Sequence, residues 1–317
     1  MQVRYAAFLQ DAKQAVMDAA NDNCECTDSL VTPNTVKVGA LLPHEVTTAA
    51  MACYCDRTNM HPDTYERQHL EFDLQWHGLT QRLLTDVASE NSSTPRRTWI
   101  PICDVSGSMS GQPMDVAIAL SLLLAEVNSP ESGFNGQIFT FHSDPELIDV
   151  FHSDPELSQS PNMPSTNTLR DIGDVAFRVS EMPWGGSTDI LKTMKIFCER
   201  AVDYNTTSIE MAQQGIVIFS DMEFDQAIDG DWKLTHKQIV DIFSDAGFDD
   251  IPRIIFWNLR ESRSVPVSKD TKGVSLLSGF SAQLLTSFLS GDLSEFTPIA
   301  QLRAVLDKPA YANLRIM

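Results

Sequence analysis

Asp104, Ser106 and Ser108 stand on alternate residues of ICDVSGSMSG, positions 102–111, between a short apolar run and a long helical pattern. One carboxylate and two hydroxyls at that spacing form a set of hard oxygen donors with few charges. Gly107 between them lets the backbone bend tightly. Such donors suit Mg2+, which takes six oxygens and usually keeps several waters; Mn2+ or Ca2+ would fit the same donor set. Three donors leave a site incomplete, so other strand ends must supply more. WGGSTDI (184–190) sets Thr188 at a helix start behind a glycine pair, and IVIFSDMEF (216–224) ends an apolar strand on Ser220 and Asp221. Each of these residues also has an ordinary duty open to it. Ser106 and Ser108 can cap the following helix. Thr188 can be an N-cap, with Asp189 favoured by the helix dipole, and Asp221 can be a turn aspartate. Trp184 can rim the site or pack on the sheet edge. All five oxygen donors at successive strand ends point to a metal: Asp104, Ser106, Ser108, Thr188 and Asp221.

The elements that must position these residues follow from periodicity. From Thr98 onward, apolar strand-like runs alternate with helical patterns: TWIPIC, a helix near 112–128, GQIFTF, a helix near 189–203, GIVIFS, a helix near 235–246, RIIFWNL, then a strand and helix near 273–290. This alternation predicts an α/β fold, a doubly wound, mainly parallel sheet covered by helices on both faces. Ligands bind such sheets outside the carboxyl ends of the strands, where strand order reverses. Residues 1–97 read as a helical extension and linker. Phe72, Trp76, Leu79, Leu83 and Val87 recur at helical steps, Tyr5 to Ala20 shows a weaker stripe, and Ser89–Arg97 is linker by composition. The α/β domain is expected over 98–292 and a C-terminal helix or tail over 293–317. Phe141–Leu147 is repeated unchanged as Phe151–Leu157. A tandem duplication tolerated in an exposed edge hairpin and loop is preferred to two acidic recognition segments.

Composition narrows the function classes. The 317 residues are 43% hydrophobic and carry 43 acidic against 23 basic side chains, a formal net charge of −20. That charge opposes phosphate backbones and anionic lipid surfaces and favours cations. Neither a signal peptide nor a membrane span is visible, so the chain is expected to be soluble, intracellular and cytoplasmic. Of six cysteines, Cys24/Cys26 and Cys53/Cys55 form Cys-x-Cys pairs. Four thiols can bind zinc, but that spacing is a weak match to structural zinc sites, and free reduced thiols are preferred. Cys103 and Cys198 read as small core residues.

D-x-S-G-S-M, G-G-S-T-D and F-S-D, in that order, resemble the three metal loops of a von Willebrand factor A domain over residues 98–290. More closely, LLPHE (41–45), PICDVSGSMSGQPMDVAIALSLLL, MPWGGSTDI, FSDMEFDQA, FWNLRESRSVPV and SLLSGFS resemble domain of unknown function 2828, from about residue 37 to residue 290. This chain looks like a shortened version of that family, with less helix ahead of the A domain. The architecture is also similar to the Ro autoantigen proteins, in which a helical ring joins an A domain and RNA is bound. The resemblance implies a metal-ion-dependent adhesion site, in which a divalent ion held by the five residues accepts an acidic side chain from a partner protein. Asp225, Arg260 and Arg263 match the closer family's pattern without a derivable role.

The leading expectation is therefore a non-enzymatic, Mg2+-dependent protein-binding module that captures a Glu or Asp of an unidentified protein. RNA binding on the Ro analogy is the alternative, against the net charge. A third reading is an Mg2+-dependent phosphotransfer enzyme with Asp104 as nucleophile. Enzymes of the haloacid-dehalogenase type place a second aspartate two residues on as acid/base. Here that position is Ser106, which cannot do that proton transfer near neutral pH.

Overall fold

In a computed structural model of the protein, residues 2–21, 41–89, 98–128, 132–141, 145–150, 171–182, 189–222, 232–260, 274–280, 284 and 288 are described. The N-terminal part supplies α1 (Gln2–Asn21), α2 (Pro43–Cys55) and α3 (Pro62–Ser89). The alternating part opens with β1 (Trp99–Asp104) and α4 (Gln112–Val127), followed by β2 (Gln137–Phe141) and β3 (Leu147–Asp149). Next come α5 (Ile172–Ser180), α6 (Ile190–Asp203), α7 (Ser208–Gln213) and β4 (Gly215–Ser220). The last elements are α8 (Trp232–Asp245), β5 (Arg253–Asn258) and β6 (Val274–Ser278).

The strands form one six-stranded sheet in the order β3-β2-β1-β4-β5-β6. Every pairing is parallel except that of β3 with β2. Because successive strand side chains point to opposite faces, each central strand feeds two cores. Trp99 and Cys103 of β1, Val217 and Phe219 of β4, and Ile255 and Trp257 of β5 enter one. Ile100 and Ile102, Ile216 and Ile218, and Ile254 and Phe256 enter the other. Strands buried on both faces read as continuous apolar runs, which is why TWIPIC, GIVIFS and RIIFWNL stand out without alternation.

The first core is roofed by α4 and extends to Val46 and Ala50 of α2 and to Trp76, Leu79 and Leu83 of α3. Of the N-terminal helices, α2 and α3 thus share a core with the sheet, while α1 packs through Leu9 and Ala12 on Leu70 and Leu74 of α3. The LLPHE stretch starts α2: Pro43 takes the first helical position and Glu45 Oε2 accepts the Leu42 N–H at 3.0 Å. The second core is covered by Met194, Phe197, Cys198 and Ala201 of α6 and by Ile239 and Phe243 of α8. No helix among the described residues is long and apolar enough to cross a membrane.

The predicted α/β architecture with its helical N-terminal part is observed. The helix expected near 235–246 spans Trp232–Asp245, and the strand expected near 273 is β6. Three elements were not anticipated: β3, α5 and α7, of three, nine and six residues. Each is too short for periodicity to register. Phe141 ends β2 and Leu147 begins β3, an antiparallel pair at the sheet edge, while residues 142–144 and Phe151–Leu157 lie outside the described residues, as do all but Ser89 of the 89–97 linker and all of 293–317. Cys103 and Cys198 are buried free thiols; Cys53 is buried and Cys55 exposed, both also free. Cys24 and Cys26 lie outside the described residues.

One polar tie crosses the shared core. Trp76 Nε1 of α3 donates to Glu126 Oε2 of α4 at 2.6 Å, with both residues buried. Trp76→Phe keeps most of the packing and removes the N–H, so it is expected to cost about 1–3 kcal/mol. Urea unfolding measures this, and an unchanged midpoint would mean the bond contributes nothing to the junction.

Candidate functional site

Strand order reverses between β1 and β4, and Asp104 and Asp221 stand there side by side at the carboxyl ends. Both are fully buried, at 0% exposure. The Asp104 carboxylate is fixed at both oxygens. The Ser106 backbone N–H donates to Oδ1 at 2.9 Å, and the Ser220 hydroxyl donates to Oδ2 at 2.5 Å. Ser220 is in turn oriented by the Met222 N–H, which donates to its Oγ at 3.0 Å. Met222 adopts φ 64°, a left-handed conformation uncommon in a non-glycine residue. Its side chain is anchored in the second core, so burial there holds the backbone in a turn that lodges Asp221 at the rim.

Ser106 and Ser108 bring their hydroxyl oxygens to 3.1 Å of each other. Neither serves as a helix cap. Ser106 precedes a short 3-10 turn, Gly107–Met109, without a side-chain capping bond, and the N-cap of α4 is Gly111. The tight bend also moves: Gly111 has φ +89°, whereas Gly107 is not in the left-handed region. At α6 the N-cap is Asp189, whose carboxylate accepts the Lys192 N–H at 3.0 Å. Thr188 lies outside the described residues, as do Trp184, Asp225 and Arg263. Of the five predicted donors, the structure brings Asp104, Ser106, Ser108 and Asp221 to one rim.

Burial pushes the Asp104 carboxyl up to about 6, against the bonds from Ser106 and Ser220 that pull it down; the neighbouring Asp221 charge adds to the rise. Two buried carboxylates and nearby hydroxyls, with oxygen as the sole donor element, have the chemistry a hard dication requires. Arg260, 45% exposed at its side chain, lies beside them, its Nη1 3.7 Å from Asp221 Oδ2.

A second cluster was not anticipated. His69 of α3 is set between two carboxylates: its Nδ1 is 3.2 Å from Asp73 Oδ2 and its Nε2 is 2.9 Å from Asp171 Oδ2. Asp73 also accepts the Ile172 N–H at 3.1 Å, and Asp171 caps α5 by accepting the Asp174 N–H at 2.8 Å. One donor atom from each of the three lies within 4.8 Å of the others, so the group could hold a metal ion. With both ring nitrogens facing carboxylates, an imidazolium satisfies the same geometry by donating twice. The signal available in the sequence was slight: a His and an Asp four residues apart on α3, with Asp73 on the inward side next to the apolar stripe.

Residues 98–304 match the model of a family described as Domain of unknown function (DUF7788), other than the domain of unknown function 2828 that the motifs resemble. The match begins at the residue before β1. A relative, "Uncharacterized protein L728" of Acanthamoeba polyphaga mimivirus, is 35% identical over 218 residues. These residues make up 67% of this chain and 34% of the viral protein, so the chain spans about a third of that relative's length.

The His69 cluster gives the junction of α3 with α5 a pH dependence. His69 is held above its usual range, chiefly by its bond to Asp171, with burial opposing. Asp73 is pushed up to about 7, chiefly by burial, although His69 pulls it down. Asp171 is held below its usual range: burial raises it, but the bonds from His69, Asp174 and Gly173 prevail. A raised pKa contributes stability that is complete below the unfolded value and lost as pH rises through the folded one. His69 and Asp73 therefore act in the same direction, and Asp171 matters only in acid. Between pH 6 and pH 9 the melting temperature is expected to fall by a few degrees, and by less in the double variant His69→Gln/Asp73→Asn, which removes both groups. Parallel slopes in the two proteins would contradict this origin.

Proposed function

The chain belongs to the DUF7788 family, described as a domain of unknown function, and from the geometry of its sheet rim we propose that it is a non-enzymatic, Mg2+-dependent protein-binding module. In this reading the rim is a metal-ion-dependent adhesion site of the von Willebrand A type. Asp104, Ser106, Ser108 and Asp221, with Thr188, would hold the ion, and Mn2+ or Ca2+ could take its place. When bound, the dication supplies an electrophilic position that attracts a carboxylate. A glutamate or aspartate of a partner protein is the ligand this chemistry selects.

The single observation that carries the reading is the pair of buried carboxylates at the switch point, one of them fixed at both oxygens. The Ser106 N–H and the Ser220 hydroxyl hold Asp104 still, and the turn at Met222 seats Asp221 beside it. Burying two such charges is costly without a compensating cation. One residue speaks against phosphotransfer at this place: Ser106 stands where such an enzyme would place its proton donor.

Asp104→Asn preserves shape and removes the charge. Calorimetric titration with Mg2+ is expected to show binding to the unaltered protein and none measurable to the variant. In chelator the variant should melt at the same temperature or higher, because a buried carboxylate has been removed. Chelator-sensitive capture of a protein partner should disappear together with the metal. Equal Mg2+ affinity in the two proteins would rule out the rim as the metal site.

A further inference from the structure

Arg260 stands beside the rim without belonging to the donor set. It follows β5, the strand next to β4, and its base is rigidly held. Its backbone N–H donates to Asn258 Oδ1 at 2.9 Å, and the adjoining Leu259 N–H donates to the Ser220 carbonyl at 3.0 Å. Asn258 pairs with Ser220 in the parallel register and is itself buried. The start of the side chain is therefore tied to the same strand end that carries Asp221, while its length is 45% exposed. At its tip, Nη1 reaches to 3.7 Å of Asp221 Oδ2. That distance is an ion pair, longer than a well-formed charge-assisted hydrogen bond.

We propose that Arg260 is a resident counter-cation of the metal pocket, partly neutralising Asp221 when no dication is present and yielding to one when it arrives. The inference rests on the adhesion-site reading above. A guanidinium beside a buried carboxylate lowers the electrostatic attraction that a second cation finds there, and two cations at one carboxylate repel each other. Half exposure allows the guanidinium to move into water, where its charge is solvated. The arrangement sets the affinity of the pocket for Mg2+ below what two buried carboxylates alone would give. It also keeps the folded protein from bearing the full cost of both charges when metal is scarce. A purely structural arginine, acting only to orient Asp221, would have the opposite consequence, since its removal would loosen a metal ligand.

The test is titration of the 317-residue chain with Mg2+ by calorimetry and with Mn2+ by electron paramagnetic resonance, at low and moderate salt. Arg260→Gln is expected to bind either ion about 3- to 10-fold more tightly than the unaltered protein, as expected for loss of one partly screened charge. The gain should shrink as ionic strength rises. Arg260→Lys, which keeps the charge, should stay near the unaltered affinity and guards against an effect of misfolding in the glutamine variant. Unchanged or weaker binding by Arg260→Gln overturns the counter-cation role and leaves the metal site intact. Failure of the unaltered protein to bind either ion removes the adhesion-site reading, and this inference with it.

Discussion

The structure turns on a carboxylate that is out of water and immobilised at both oxygens. Asp104 ends the central strand at 0% exposure, gripped by a backbone N–H from its own loop and a hydroxyl from the neighbouring strand. A carboxylate in that position favours protonation or a cation, because burial opposes its charge. Its carboxyl is raised to about 6 even with two donors bonded to it. Asp221, equally buried, sharpens the demand. Around this pair the other features make sense: the left-handed turn at Met222, the hydroxyls at Ser106 and Ser108, and the arginine leaning in from the next strand.

The sheet is what makes such a rim possible. β1 and β4 are buried along their whole length and feed apolar side chains into both cores, so their ends are fixed points. α2 and α3 extend one of those cores, and Trp76 and His69 tie α3 to α4 and α5 through polar contacts. α2 and α3 therefore act as a brace for the face of the sheet on which α4, the helix after the Asp104 loop, is packed. In a chain this acidic, carboxylates abound; among the described residues Asp73 and Glu126 are also buried, at 6% exposure, and what distinguishes Asp104 and Asp221 is complete burial side by side at one strand-end rim.

The fold was legible because its central strands are unbroken apolar runs of β-branched and aromatic residues, and because Asp104, Ser106 and Ser108 follow one of them directly. Asp221 was legible for the same reason, at the end of GIVIFS. Other parts were hidden for physical causes. β3, α5 and α7 are too short for a period to show. Ser220 read as a strand residue, yet its hydroxyl is what orients Asp104. Gly111, and not Gly107, proved to be the glycine with positive φ. His69 and Asp73 come from α3 and Asp171 caps α5, 98 positions after Asp73, so only the folded chain assembles them. Arg260 was visible as a residue and silent as to role until its neighbour Asp221 was in place.

Two clusters of potential ligands now compete for any divalent ion, and their chemistry differs: oxygen donors at the rim, one imidazole and two carboxylates at the helix junction. Anomalous diffraction from crystals grown with Mn2+ distinguishes them in a single experiment. The account predicts a peak in contact with the Asp104 and Asp221 carboxylates. A peak at His69 with the rim empty, or no peak at either place, would contradict it.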